Sequence, residues 1–293
     1  QIGELYSMNI HDILFVLITG RQYNNTEIIY FTHPIPNLIF TRDLAAVIGN
    51  TILLTWGCRN VRKRENILTK YIFNHHNLFQ NFKKYNFHKE HPDLSVEGGD
   101  IIILNNKTIC IGISERTSFS TVNALLPLFF KEGFKRIYAI DLPKHRSMMH
   151  LDTIFNRISN KHIVVFPPIF MNDQNSMLIY CVNKGENLNT AKKIKQNFLE
   201  VLEDDNIKLE PIQCGGDKKS NQIREQWTDG ANYFTISPGI IIGYECNLYT
   251  IQALSNAGFT CIKSYDFLSN PKKYKEQSQL LISMPNSELS RGR

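Results

Sequence analysis

The stretch Ile101-Ile102-Ile103-Leu104-Asn105-Asn106-Lys107-Thr108-Ile109-Cys110-Ile111-Gly112-Ile113 sets two short apolar runs on either side of a polar turn. The runs are too short for a stable helix and are rich in β-branched side chains, so they read as two strands of a hairpin. Asparagine tolerates the left-handed backbone that tight hairpins need, which makes Asn105-Asn106 the turn. A helix follows from Thr121, with Ser120 able to cap its first amides and Gly133 able to take the left-handed position at its end. The strand Lys135 to Ile140 completes a strand, turn, strand, helix, strand unit.

The same order recurs on both sides. Leu44 to Ile48 and Thr51 to Thr55 flank Gly49-Asn50 and precede a helix from Arg62 to His75. Thr153 to Ile158 and His162 to Phe166 flank Ser159-Asn160, followed by a long loop from Pro167 to Asn189, a helix from Ala191 to Leu202 and a strand from Ile207 to Ile212. Tyr233 to Ile236 and Ile240 to Tyr244 flank Pro238-Gly239, followed by a helix from Tyr249 to Asn256, a Gly258 cap and a strand from Phe259 to Lys263. Units that cannot bury their own apolar face stack on copies of themselves. The expectation is an α/β protein, a single domain over residues 1–293, with ββαβ modules at approximately 37–80, 97–141, 150–213 and 228–264.

Composition narrows the function classes. With 42% hydrophobic and 20% charged residues among 293, the chain falls with globular rather than disordered proteins. The apolar run Ile13 to Ile18 is far shorter than the ~20 residues of a bilayer-spanning helix, so no membrane span is expected. The net charge of +6 is spread along the chain without a basic block, which argues against a nucleic-acid partner. Six cysteines stand singly, without paired zinc spacing or the density of a disulfide scaffold, and favour a reducing cytoplasm. His75, His76, His88 and His91 lack a defined ligand spacing and read as a solvated surface; no metal is expected.

A polar motif stands at the entry to each unit's first strand: Thr41-Arg42-Asp43, Gly98-Gly99-Asp100, His150-Leu151-Asp152 and Thr228-Asp229-Gly230. If the units surround an axis, equivalent strand ends line one central cleft. His150 and Asp152, two residues apart on an extended strand, would share a face.

The segments Phe40-Thr41-Arg42-Asp43, Glu97-Gly98-Gly99-Asp100, Glu115-Arg116-Thr117-Ser118, Met149-His150-Leu151-Asp152-Thr153 and Ser287-Glu288-Leu289-Ser290-Arg291-Gly292-Arg293 resemble, in order, the motifs of the arginine deiminases. Pro34-Ile35-Pro36-Asn37 and Arg224-Glu225-Gln226-Trp227 extend the resemblance across nearly the whole chain. It implies a pentein α/β-propeller of five ββαβ modules around a pseudo-fivefold axis, of which about four are legible. In the family, the Ser-Arg-Gly-Arg stretch leads to a glycine-rich turn and then to the nucleophilic cysteine. The chain ends at Arg293, so on its own it is expected to be inactive. Cys110 and Cys261 lie in apolar strand patterns, and only Cys58 and Cys214 are loop-like.

The resemblance further implies hydrolysis of L-arginine to L-citrulline and ammonia through a covalent thiouronium, without a cofactor. Asp43 and Asp152 resemble the carboxylates that hold the guanidinium, a planar donor that a carboxylate fork matches. His150 resembles the general acid/base, with Glu97 orienting it. Arg62 and Arg116 resemble the arginines that take the substrate's α-carboxylate. Asn37 and Phe40 resemble substrate contacts, Phe40 as a wall against the guanidinium plane. Asp100 looks like a supporting or substrate-contacting carboxylate, and Arg293 like the arginine of a mobile catalytic loop. Asp229 and Asn232 receive no catalytic part. A homo-oligomer is compatible with these expectations. The rival activities are an arginine amidinotransferase and a non-catalytic arginine-binding protein.

Overall fold

A computed structural model of the chain describes residues 7–24, 27–171 and 177–285. A helix, Ile10–Thr19, is capped at one end by the Asn9 side chain, which accepts from the amides of His11 and Asp12, and at the other by Gly20 at φ 73°. It leads into a hairpin of β1 (Arg21–Asn24) and β2 (Glu27–Tyr30). Among the described residues no helix is long and apolar enough to cross a membrane.

Four sheets follow. β3 (Ala45–Ile48) runs antiparallel to β4 (Thr51–Leu54), and the helix Lys63–His75 carries the chain over to β5 (Lys83–Asn86), parallel to β4. The second sheet repeats this with β6 (Ile101–Ile103), β7 (Thr108–Ile113), the helix Phe119–Lys131 and β8 (Arg136–Asp141). In the third, β9 (Phe155–Arg157) and β10 (His162–Val165) are followed, after an excursion described below, by the helix Phe198–Asp204 and β13 (Glu210–Gln213). The fourth has β14 (Phe234–Ser237), β15 (Ile240–Tyr244), the helix Leu248–Asn256 and β16 (Thr260–Lys263).

Side-chain alternation explains how these sheets stack. Successive residues of a strand point to opposite faces. In β7, Ile109 and Ile111 enter the core shared with the first sheet, while Cys110 enters the core shared with the third. In β8, Ile137 and Ala139 face one way and Tyr138 and Ile140 the other. In β10, Ile163 and Val165 join the second core and Val164 the core shared with the fourth sheet. Sheets buried on both faces have continuous apolar strands, and each such buried Ile or Phe contributes roughly 1.5–3 kcal/mol.

Local expectations fail at four places. The excursion after β10 contains β11 (Leu178–Asn183) and β12 (Lys192–Lys195), which add to the second sheet beside β8 in the order β12-β11-β8-β7-β6. The helix expected from Ala191 therefore starts only at Phe198, and Lys192, Lys193 and Lys195 lie exposed on an edge strand, where lysines discourage further pairing. In the fourth sheet β17 (Leu280–Met284), not anticipated, lies between β15 and β16, parallel to both. The helix Phe119–Lys131 is capped by Ser118 rather than Ser120. Neither Asn105 nor Asn106 has a positive φ; the Asn105 side chain instead accepts from the Lys107 amide at 2.8 Å, which tightens the turn without a left-handed residue.

Candidate active site

The chain enters the first strand of units one, two and three through a short 3-10 turn: Thr41–Leu44, Gly98–Asp100 and Leu151–Thr153. The second turn packs against the first and the third. Gly99 stands at their meeting point. A Cβ there would lie 2.9 Å from Asp152 Oδ2, 2.9 Å from Asp43 Oδ1 and 3.0 Å from His150 Nδ1. One glycine thus marks the spot on which two carboxylates and an imidazole converge, and close approach is the reason for a glycine there. His150 and Asp152 do not share a strand face, contrary to expectation. His150 is extended (φ −134°, ψ 159°) and caps the turn that contains Asp152, and the turn brings both inward.

His150 is buried and its Nε2 lies 2.7 Å from Glu97 Oε2, while Nδ1 lies 3.7 Å from Asp43 Oδ1. Burial opposes the imidazolium, but Asp43, the Glu97 hydrogen bond and Asp100 outweigh it and push the His150 pKa up to about 10. Burial likewise opposes the Glu97 carboxylate, yet the His150 bond and the charges of Arg62 and Arg116 hold it down at about 2. Glu97 spends its other oxygen on the Cys58 amide at 3.0 Å. The resting pair is therefore imidazolium and carboxylate.

Arg62 enters from the start of the first unit's helix and is buried. Its Nη1 lies 2.5 Å from Asp43 Oδ2 and 3.7 Å from Glu97 Oε2, and its Nε donates to Glu65 Oε2 at 2.8 Å. Burial opposes its charge, but Asp43 and then Glu65 raise its pKa beyond the ordinary arginine value. Glu65 also accepts from the Asn37 amide at 2.9 Å, and the Asn37 carbonyl accepts from Arg62 Nη2 at 3.4 Å. In this state Arg62 is bound to carboxylates of its own chain.

Arg116 presents the opposite situation. It is buried, and among the described residues neither its Nε nor its Nη1 has a hydrogen-bond partner, while Nη2 touches only the Met149 sulfur, at 3.7 Å. A buried guanidinium with open donors is costly unless an anion meets it. Asp152 is buried as well, with Oδ2 3.4 Å from Arg42 Nη1 and Oδ1 without a hydrogen-bond partner among the described residues. Burial raises its pKa to about 6, against the pull of Arg42.

These groups line a cavity of about 570 Å³, whose wall also includes Asn37, Phe40, Arg146, Asp229, Asn232, Tyr244 and Met284. No cysteine is on the described lining. Asp100 is set back from the cavity. It is wholly buried, accepts from Ser114 Oγ at 2.6 Å and the Leu151 amide at 3.0 Å, and so fixes the turn that carries Asp152. Burial raises its pKa to about 7. Arg293 lies outside the described residues. The four histidines of the first unit do not gather: His88 stacks on Trp56 at 3.8 Å and His91 bonds Tyr85 Oη at 3.1 Å.

Sequence reasoning gave no role to Arg42, Glu65 or Gln226. Arg42 stood inside a quoted motif, and Glu65 follows Arg62 at the i,i+3 spacing of a helical ion pair. Gln226 reaches the carbonyls of Ser147 and Thr153 on either side of His150, a contact across 79 and 73 residues that no local pattern foretells.

The profile of the family described as "ADI: Arginine deiminase" matches residues 20–293. An arginine deiminase of Listeria welshimeri is 35% identical over 269 residues, covering 90% of this chain and 60% of the relative. One of Mycoplasma capricolum is 32% identical over 268 residues, with the same 90% and 60% coverage. The chain thus spans about 60% of the length of the curated relatives it matches. Among solved structures, the N-terminal domain of ArgZ bound to product, an arginine dihydrolase of cyanobacteria, superposes with a TM-score of 0.58 at 16% identity, covering 89% of this chain and 73% of that one. The ternary complex of AgrE with ornithine and NAD+ gives 0.56 at 17% identity, covering 89% of this chain and 30% of that one. These likenesses bear out the α/β pentein fold, and the match over residues 20–293 makes the chain a member of the arginine deiminase family.

Proposed function

We propose that this chain carries the guanidinium-binding and proton-transfer part of an arginine deiminase site, in a protein that hydrolyses L-arginine to L-citrulline and ammonia. The observation that carries the proposal is the convergence of Asp43, Asp152 and His150 on the space above Gly99. A guanidinium, that of Arg62, already rests against Asp43 and Glu97, so Asp43 already serves as a guanidinium acceptor in this cavity. The unpartnered edge of Arg116 suits the α-carboxylate of a free amino acid.

On this proposal Asp43 and Asp152 hold the substrate guanidinium, and Phe40 lies along its plane. Arg62 exchanges Asp43 for the substrate, keeping Glu65 as its anchor, and Asn37 adds a polar contact. A cysteine thiolate supplied after Ser290-Arg291-Gly292-Arg293, as in the family, attacks the guanidinium carbon and forms a C–S bond. The C–N bond then breaks, and the His150 imidazolium gives its proton to the departing ammonia. Neutral His150 next takes a proton from water as its oxygen adds to the same carbon. The C–S bond breaks, the thiolate returns, and citrulline leaves as the remaining hydroxyl proton passes to solvent, where it is matched by the ammonia released as ammonium. Glu97 holds the His150 ring in place through both steps. No cofactor takes part, and six free cysteines suit a reducing cytoplasm.

The test is a colorimetric citrulline assay on a longer chain that includes the segment after Arg293. Citrulline and ammonia in equal amounts are expected. A longer chain that contains the cysteine and forms neither would overturn the proposal.

A further inference from the structure

Arg42 touches two regions that no other charged side chain joins among the described lining residues. Its side chain leaves the first unit's turn one residue before Asp43 and crosses to the third and fourth units. Nη1 lies 3.4 Å from Asp152 Oδ2, and Nη2 donates to the Tyr233 carbonyl at 2.9 Å. That carbonyl is fixed from the other side by Asn156 Nδ2, also at 2.9 Å. Arg42 lines both the 570 Å³ cavity and a second one of about 250 Å³ bounded by Ile101, Asn156, Arg157, Asn160 and Pro238. Its guanidinium is therefore part of the partition between them.

We infer that Arg42 is a positioning residue, clamped on the Tyr233 carbonyl so that it fixes the Asp152 carboxylate through Oδ2, the oxygen that stands over Gly99 beside Asp43 and His150. The inference rests on the deiminase proposal for what the Asp152 carboxylate binds, but not for the clamp. Asp152 needs such a partner. It is 1% exposed, and the charged groups facing it are Arg42, His150, Asp43 and Asp229, two of them acids that disfavour its ionisation. A guanidinium can serve Asp152 and the Tyr233 carbonyl with two separate nitrogens in a fixed fork, whereas an ammonium has a single nitrogen for both. Arg42 would thus act through Asp152 without touching the substrate.

The test uses the chain with labelled aspartate carboxyls, an infrared titration with the Asp152 band assigned by Asp152→Asn, and calorimetry of L-arginine binding at about pH 6 and pH 8. In Arg42→Gln the Asp152 midpoint should rise by about one unit or more, since an opposite charge at this range moves a carboxylate by ~1–3 units. L-Arginine should bind about tenfold or more weakly at the lower pH and recover partly at the higher. Arg42→Lys, which keeps the charge and guards against a misfolded glutamine variant, should show a smaller rise and a loss of affinity at both pH values. An unmoved Asp152 midpoint in either folded variant would overturn the inference. A moved midpoint in a chain that binds no arginine even as wild type would leave the clamp standing and remove the deiminase proposal.

Discussion

Arg62 and Asp43 form a buried ion pair, Nη1 to Oδ2 at 2.5 Å, on the wall of the cavity proposed to take the substrate guanidinium. Removing one member of a buried pair leaves the other charge unpaired, which costs about 3–5 kcal/mol. Asp43→Ala should therefore lower stability by an amount toward the lower end of that range, because Glu65 still holds Arg62 at 2.8 Å. Urea unfolding measures this, and calorimetry on the same variant should register no saturable L-arginine binding.

Gly99 has no positive φ to excuse its lack of a side chain; its reason is the 2.9–3.0 Å approach to Asp43, Asp152 and His150. Gly99→Ala should fold, since alanine suits that backbone, yet weaken L-arginine binding at least about a hundredfold, by ~2.7 kcal/mol. Circular dichroism and calorimetry together check both halves. Retained affinity would mean that the ligand does not use this spot.

The Glu97–His150 pair fixes a pH window. His150 is raised from 6.5 to about 10, so its contribution is full below 6.5 and is lost as pH rises through about 10. Glu97 is lowered from 4.5 to about 2, so its contribution is full above 4.5 and is lost as pH falls through about 2. The stability gap between wild type and Glu97→Gln should be widest between these limits, near about pH 5–6, and should narrow toward about pH 10. Taking the difference cancels the opposite trends of Asp100 and Asp152, whose raised values favour the acid form. Denaturant midpoints across pH provide the check.

Glu225 belongs to the Arg224-Glu225-Gln226-Trp227 segment but works away from the cavity. Wholly buried, it accepts from the amides of Tyr249 and Thr250 at 3.0 and 2.8 Å and from Thr250 Oγ1 at 2.7 Å, at the start of the fourth unit's helix. Glu225→Ala strips three donors and should cost about 1–3 kcal/mol or more. Thermal unfolding should fall while L-arginine affinity at folded temperatures changes less than about threefold.

The repeat was legible because alternation and turn chemistry are local. Thr108 to Ile113 is one apolar run whatever surrounds it, and it proved to be β7 residue for residue. The site was legible only as motifs. That Asp43, Gly99 and Asp152 meet depends on how three turns pack, which spacing along the chain does not encode. β11 and β12 escaped because a strand given to another unit's sheet looks like a loop in its own. β17 escaped because the repeat already had its third strand in β16, and the pairing that places β17 between β15 and β16 is long-range. The same holds for Arg42, whose partners Asp152 and Tyr233 lie 110 and 191 residues away.

A crystal structure of the chain soaked with L-arginine tests the central claim most directly. The account predicts the ligand guanidinium above Gly99, within hydrogen-bond reach of Asp43 and Asp152, with Arg62 withdrawn from Asp43 and the α-carboxylate on Arg116. A guanidinium bound elsewhere, with the Arg62–Asp43 pair intact, would contradict it.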